Sequence, residues 1–199
     1  MDKQRQRSEE TRSRLLEAAE RSFAQQGFDG TGVAKICQAA GVTKGAFYHH
    51  FSSKEDVFME LFRRWLERLE IQMAKLRENS ASVPEELLSM TSLMQEVLQA
   101  TEGQFPIYLE FWTRAMRDPA IRQELISPFY RYRDLFSEMV LKGVSEGTMK
   151  EVHPETTARL ILAVALGLLI QGLLEPQEAE WDQVTQESMQ ILLDGLMKR

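Results

Sequence analysis

Apolar residues recur every three or four positions along most of this chain, which is the period of a helix that buries one face. The first such helix is expected over residues 8–26, and Gly27 is a suitable left-handed cap at its end. Its inward positions have helical spacing: Leu15, Leu16, Ala19 and Phe23. Helix-forming residues dominate and prolines are few, so the sequence predicts an all-α fold.

Two short helices around a tight turn are expected next. Thr31 is a suitable N-cap for the second helix, whose inward positions are Val33, Ile36, Cys37 and Ala40. Gly41 breaks that helix, and Thr43 caps a third helix containing KGAFYHHF. Two short helices joined by a glycine-containing turn are typical of a helix-turn-helix unit.

Longer helices are expected in the remainder of the chain. Ser52 and Ser53 cap a fourth helix whose apolar stripe needs about 25 residues. Further helices are expected at about 84–101, 104–117, 119–147 and 154–174, with a last one ending near 198. Pro128 is expected to split or kink the helix at 119–147. The sequence therefore predicts an N-terminal domain over 1–68 and a larger helical domain over 69–199.

Composition narrows the class of protein. With 43% hydrophobic and 27% charged residues among 199, the chain has the balance of an ordinary soluble protein. Its longest apolar run, residues 160–170, is shorter than the roughly 18–20 residues of a membrane span, and the charged start is no secretory signal. Cys37 is the single cysteine, which excludes an internal disulfide. These features predict a cytoplasmic protein with no membrane partner.

Charge is divided unevenly along the chain. The net charge is −6, yet residues 1–54 carry nine Lys and Arg against six Asp and Glu, which gives +3 there and −9 elsewhere. A basic part within an acidic chain indicates that this part meets an anion.

The third helix presents a face suited to a DNA groove. At about 100° per residue, Phe47 and Phe51 point inward and His49 points outward, with Gly45 and Ala46 near it. Tyr48 and His50 fall on the two flanks. Small first-turn residues let the backbone approach base edges, while flanking donors reach phosphates.

Residues 11–58 resemble the DNA-binding domain of the TetR family of bacterial transcriptional regulators, most specifically in AAGV, KGAFYHHF and SSKED. The resemblance implies a homodimer that reads double-stranded operator DNA with its third helix. It assigns phosphate contacts to Thr31, Thr43, Lys44, Tyr48, His50 and Lys54, and base contacts to Gly45, Ala46 and His49. Two positions depart from the family pattern: Gly32 replaces the usual threonine or serine, and Cys37 replaces alanine.

Aromatic residues and methionines concentrate in the middle of the chain. Together with the family resemblance, this concentration predicts a site for a small, largely apolar effector. The expected lining residues are Met90, Met94, Phe105, Tyr108, Phe111, Trp112, Met116 and Phe129. The alternative is that each of them simply fills the core.

The last two predicted helices resemble the dimerisation pair of the same family. The first is apolar nearly all round, so it must be buried on more than one side. The expected interface residues are Leu160, Ala163, Leu166, Gly167, Ile170, Leu192 and Leu196.

Other functions are weighed against the same residues. Adjacent histidines diverge by about 100° on a helix and cannot chelate one ion, and no nucleophile motif accompanies them, so no catalytic site, metal or cofactor is expected. Cys37 lies on the inward face, where a small core residue is favoured over a redox sensor. The hypothesis is a ligand-responsive transcriptional repressor that binds a palindromic operator as a homodimer and is released or tuned by a small-molecule effector. The alternative is a helical small-molecule-binding protein or enzyme that no longer binds DNA.

Overall fold

The computed structural model describes residues 3–99, Leu109 and 112–198, which are helical for most of their length. The helices are α1 Lys3–Gln26, α2 Val33–Ala40, α3 Lys44–His50, α4 Lys54–Glu78, α5 Val83–Ser89, α6 Thr91–Gln99, α7 Pro119–Ser145, α8 Pro154–Leu174 and α9 Trp181–Leu196. Residues 112–115 are also helical. Within these ranges the only β-pairing is an isolated antiparallel bridge between Met149 and Met197. The all-α prediction is confirmed.

The chain forms two compact units. The first holds the described residues up to Glu67 together with Leu109 and residues 112–116. The second holds those from Arg68 to Gln99 and from Arg117 to Lys198.

Aromatic side chains form the centre of the first unit. Phe23, Phe28 and Phe58 are almost fully buried, and their ring centroids lie 5.2 to 6.2 Å apart. Ile36 of α2 and Phe47 of α3 are also fully buried. Burial of such side chains is the main stabilising term for a small helical unit, and here it fixes α2 and α3 against α1.

Two helix starts in the first unit differ from the prediction. Helix α1 begins at Lys3, not near Ser8, because the polar residues before Leu15 are good helix formers even without a buried face. The N-cap of α2 is Gly32, which makes no side-chain cap, and not Thr31. The start of α4 agrees with the prediction, since the amide of Asp56 donates to the hydroxyl of Ser53 at 3.1 Å.

The second unit contains more helix boundaries than the sequence predicts. The single helix expected at 84–101 is two helices, and Met90 caps the first of them. Conversely, Pro128 lies inside α7 and does not split it. Of the two expected outcomes, the split does not occur, because one missing donor and a local clash can be absorbed in a long, packed helix; the kink stays a prediction.

The core of the second unit is built from five of its helices and the end of α4. Its members are Met73, Val83, Leu87, Met90, Leu93, Phe136, Met139, Val140, Met149, Ala158, Ile161, Met189 and Leu193. Buried Glu86 joins Arg77 in an ion pair at the edge of this core. The amide of Lys150 donates to the carbonyl of Leu196 at 2.8 Å, which ties the loop after α7 to the end of α9.

His153 fixes the start of α8. It is the N-cap of α8, and its Nδ1 accepts a hydrogen bond from the amide of Thr156 at 3.3 Å. The cap explains why α8 begins at Pro154, which needs no donor of its own at the first helical position.

Candidate nucleic-acid interface

The turn between α2 and α3 fixes the exposed helix of the first unit. Gly41 has φ 64°, in the left-handed region that favours glycine, and its amide donates back to the end of α2. The Thr43 hydroxyl then accepts a hydrogen bond from the amide of Ala46 at 3.1 Å, so Thr43 caps α3 as the sequence predicts. Phe47 and Phe51 anchor α3 to the core with at most 3% exposure.

The opposite side of α3 is open to solvent. Lys44, Gly45 and His49 are exposed, and Tyr48 keeps 58% of its surface. A Cβ built on Gly45 meets only the Thr43 hydroxyl, at 3.7 Å, so the first turn has room for a close approach. Seven of the nine residues predicted to contact DNA thus lie in one short segment: Thr43, Lys44, Gly45, Ala46, Tyr48, His49 and His50.

His50 lies at the end of α3 beside α1. Burial lowers the pKa of its imidazole, and the neighbouring His49 and Arg12 lower it further, against an opposing effect of Glu9. Its ring lies 5.0 Å from that of His49, edge to face. At neutral pH the His50 ring is therefore uncharged and has one N–H to donate.

Thr31 does not have the predicted role. Its side chain is fully buried, and its hydroxyl donates to the carbonyls of Gly27 at 2.9 Å and Ser22 at 3.0 Å. A hydroxyl has one proton, so none remains for a phosphate. The assignment of Thr31 to DNA contact is wrong in this structure; the residue closes the turn between α1 and α2.

Lys54 is also engaged within the first unit. Its Nζ donates to the carbonyls of Phe28 at 2.7 Å and Thr31 at 3.1 Å, and it lies 4.3 Å from the centroid of the Phe28 ring. Two of its three N–H donors are used in this way. The side chain therefore holds the α1–α2 turn in place, and this contact competes with the predicted phosphate contact.

Replacing Lys54 with alanine is expected to lower the free energy of unfolding by about 2 kcal/mol, because two charge-assisted hydrogen bonds and a cation–π contact are lost. Urea denaturation followed by circular dichroism measures the change. Lys44→Ala is the matched control, since exposed Lys44 should change stability by no more than about 0.5 kcal/mol. Equal stability of the two variants would contradict the structural role of Lys54.

An ion-pair network that the sequence analysis did not identify braces the same unit. Glu60 of α4 pairs with Arg12, Arg63 and Arg64, and the Arg12 guanidinium lies 5.2 Å from the centroid of the Phe51 ring. Partial burial acts to raise the pKa of Glu60, but hydrogen bonds from Arg64 and Arg12 bring it below its usual value. Spacing along α4 indicates the Arg63 and Arg64 pairs, whereas the pair with Arg12 depends on the tertiary fold.

The residues predicted to bind an effector have different environments. Met90 and Met94 are buried in the second unit, where Met90 belongs to the core, and Phe129 is partly buried. Trp112 and Met116 belong to the first unit and are 36% and 72% exposed. Phe105, Tyr108 and Phe111 lie outside the described residues. A common pocket for these residues stays a prediction.

The residues predicted to form a dimer interface lie on α8 and α9 of the second unit. Leu160, Ala163 and Ile170 are exposed, while Leu166 and Gly167 are partly buried. Leu192 and Leu196 are partly buried because they pack against the core of their own unit. A groove of ≈ 550 Å³ runs along this face, lined by Ala163, Val164, Gly167, Leu168, Gln171, Ser188, Ile191 and Leu192.

Helix α8 has the bounds that the sequence predicts, 154–174, and polar residues such as Thr157 and Gln171 extend it beyond the apolar run of residues 160–170. By length and composition alone it could cross a membrane, a property that core helices of soluble proteins share. Only a third of its most apolar stretch is buried within the chain. The helix therefore exposes an apolar face.

Two observations concern metal binding and cysteine reactivity in the described part of the chain. Residues 3–99 and 112–198 contain no group of three His, Cys, Asp or Glu side chains that could hold a metal ion. Cys37 is buried, as predicted, and burial raises the pKa of its thiol, which opposes formation of the reactive thiolate.

Comparisons with known proteins agree with this geometry. A family described as "Bacterial regulatory proteins, tetR family" matches residues 15–61, and one described as "BetI-type transcriptional repressor, C-terminal" matches residues 83–197. The HTH-type transcriptional regulator UidR of Escherichia coli is 23% identical, over 99% of this chain and 98% of its own. The HTH-type transcriptional regulator CymR of Pseudomonas putida is 27% identical, over 98% of this chain and 95% of its own.

Solved structures share the fold. A putative transcriptional regulator from Saccharomonospora viridis, crystallised in complex with choline, superposes with a TM-score of 0.81. The superposition covers 96% of this chain and 100% of the other, at 22% identity.

Proposed function

Because the chain belongs to the TetR family of bacterial transcriptional regulators, we propose that it is a cytoplasmic, ligand-responsive repressor that binds a palindromic operator as a homodimer. The observation that carries this proposal is the exposed face of α3. That face combines a small first turn with Lys44, Tyr48 and His49 in solvent, while Phe47 is fully buried behind it. A groove-reading helix needs this division between anchor and reading side chains.

The phosphate contacts of the proposed complex are assigned to Thr43, Lys44, Tyr48 and His50. Lys44 supplies a free positive charge at the start of α3, and Tyr48 supplies a phenolic donor. Base contacts are assigned to Gly45, Ala46 and His49. Each phosphate that a lysine neutralises adds about 0.9 to the slope of log affinity against log salt concentration, so binding should be strongly salt-dependent although the chain is acidic overall.

The proposed homodimer interface is the apolar face of α8 and α9. Ile191 is 74% exposed beside the groove, and Leu160 and Ile170 are also exposed on α8. Gly167 has no neighbouring atom within 4 Å of a built Cβ, which leaves space for a side chain from a partner. Two copies related by a two-fold axis would cover this face isologously. Family membership favours that occupant over a membrane.

The effector is proposed to be a small, largely apolar molecule. The support is the cluster of methionine and aromatic residues from Met90 to Phe129, which have the apolar character of a ligand site. The two copies of the first unit in the proposed dimer are called the heads, and effector binding must favour one of two arrangements of these heads. DNA must then change the affinity for effector by the same factor by which effector changes the affinity for DNA.

Two variants of α3 separate base reading from phosphate contact. His49→Ala is expected to change which operator sequence is preferred, because a base-edge contact is worth about 1–3 kcal/mol of discrimination. Tyr48→Phe is the matched control and should weaken all sequences by one common factor, since a single phosphate hydrogen bond of about 1 kcal/mol is lost. Titrations against all single-base changes in an operator selected by the wild type measure both effects.

The shape of the two affinity profiles decides the assignment. A His49→Ala profile parallel to that of the wild type means that His49 does not contact a base. Absence of sequence-dependent binding by the wild type would contradict the proposed function itself and favour the alternative of a protein that no longer binds DNA.

A further inference from the structure

Two cations hold the turn between α1 and α2. Phe28 lies in this turn and is fully buried, and the Lys54 Nζ lies 4.3 Å from its ring centroid. The Arg114 guanidinium lies 4.8 Å from the same centroid and also pairs with the carboxylate of Asp29. Both distances fall within the roughly 6 Å range of cation–π attraction. The turn is therefore contacted by Lys54 from α4 and by Arg114 from the 112–116 segment.

Arg114 belongs to a distant part of the chain. It follows Asp29 by 85 residues, yet residues 112–116 fold with the first unit. The chain enters the second unit at Arg117, two residues before α7 begins at Pro119. Arg114 thus joins the start of the helix-turn-helix to the segment that leads into the proposed effector domain.

The contacts of Arg114 are better suited to orientation than to stability. The side chains of Arg114 and Asp29 are 33% and 65% exposed, and exposed ion pairs stabilise a fold only weakly. The guanidinium, however, is planar, and pairing with a carboxylate while lying over a ring restricts its orientation. Without Arg114, the backbone of the turn would still be held by Lys54 and by the hydroxyl of Thr31.

We propose that Arg114 is a positioning residue of the DNA-reading unit: it fixes the α1–α2 turn to the segment that leads into the effector domain, so that a shift of this segment reorients α3. This inference rests on the proposed function. The α1–α2 turn precedes α2, and α2 is joined to α3 by the tight turn at Gly41, so a tilt of the first turn is passed on to the reading helix. Loss of Arg114 should leave the heads folded but free to sample unproductive orientations.

The test uses the full-length dimer with a spin label on Gln38→Cys in a Cys37→Ala background, since Gln38 is exposed on α2. Pulsed dipolar spectroscopy then measures the distance between the two heads. Arg114→Ala is expected to broaden the distance distribution and to weaken binding to a palindrome selected by the wild type about tenfold, because fewer dimers have both heads in register. Binding to a duplex with one half-site should be unchanged.

Arg117→Ala is the matched control, because it removes a nearby exposed arginine for which the structure shows no ion pair. Arg114→Lys should recover only part of the affinity, since an ammonium lacks the planar fork. An unchanged distance distribution and affinity in Arg114→Ala would overturn the inference. Parallel losses on half-site and palindrome would also overturn it, because they indicate a damaged head. If the wild type selects no DNA, the proposed function is wrong. The spin-label distance distributions of the wild type and of Arg114→Ala then decide the role of Arg114.

Discussion

Gly167→Glu is expected to convert the protein to a monomer and to weaken operator binding by about a thousandfold. The substitution places a charge in the groove of α8 and α9, where the proposed partner would have to bury it without a counter-charge. Two linked heads gain about 10²–10⁴ in affinity from their effective concentration, and a monomer loses that gain. The first unit, which carries α3, is not altered.

The same substitution should leave the isolated chain folded. A Cβ at Gly167 meets no atom within 4 Å, and replacing a glycine inside a helix gains about 0.5–1 kcal/mol. Analytical ultracentrifugation and operator titration measure the two effects. Leu141→Glu is the matched control, since Leu141 is 58% exposed on α7 and does not line the groove. If Gly167→Glu remains dimeric, the interface lies elsewhere.

Gly45→Asp is expected to weaken DNA binding strongly without lowering the stability of the fold. Gly45 lies in the first turn of α3, where the helix dipole favours a carboxylate by about 0.3–1 kcal/mol, so the melting temperature should hold or rise. In the complex the same carboxylate would face the phosphates and bases. Like charges across an interface cost several kcal/mol, so the two heads together should lose about a thousandfold in affinity.

Gly45→Asn is the control for this experiment, because asparagine has nearly the same size without the charge. Its affinity should stay within about tenfold of the wild type, since a built Cβ at this position meets only the Thr43 hydroxyl. Thermal melting and DNA titration of both variants provide the readouts. Similar affinities for the aspartate and asparagine variants would mean that Gly45 does not face DNA.

Local patterns were sufficient to predict much of the fold. Gly41, Thr43 and the Ser53 cap act within a few residues of their own position, and each has the predicted role in the structure. The break at Met90 was missed because no glycine or proline marks it. At Pro128 the sequence does contain a helix breaker, yet α7 continues through it, since a packed helix tolerates one absent donor.

The candidate site was predictable where it depends on one helix and not where it depends on tertiary contacts. Helical angles around α3 identify its buried and exposed residues, as the burial of Phe47 and the exposure of Tyr48 show. Sequence patterns missed the role of Thr31 and the internal contacts of Lys54 because their partners come from other elements: the carbonyl of Ser22 for Thr31, and the α1–α2 turn for Lys54. No local spacing predicts such contacts, and the pairing of Arg114 with Asp29 is a further example.

In the proposed function, two copies of α3 read DNA together. The most direct measurement is selection of bound duplexes from a random-sequence pool by the full-length wild-type protein, followed by sequencing. We expect an enriched inverted repeat whose half-site centres lie about 34–36 Å apart, one helical turn, because each α3 must enter a successive major groove on the same face. Enrichment of no sequence, or of a motif without two-fold symmetry, would contradict it.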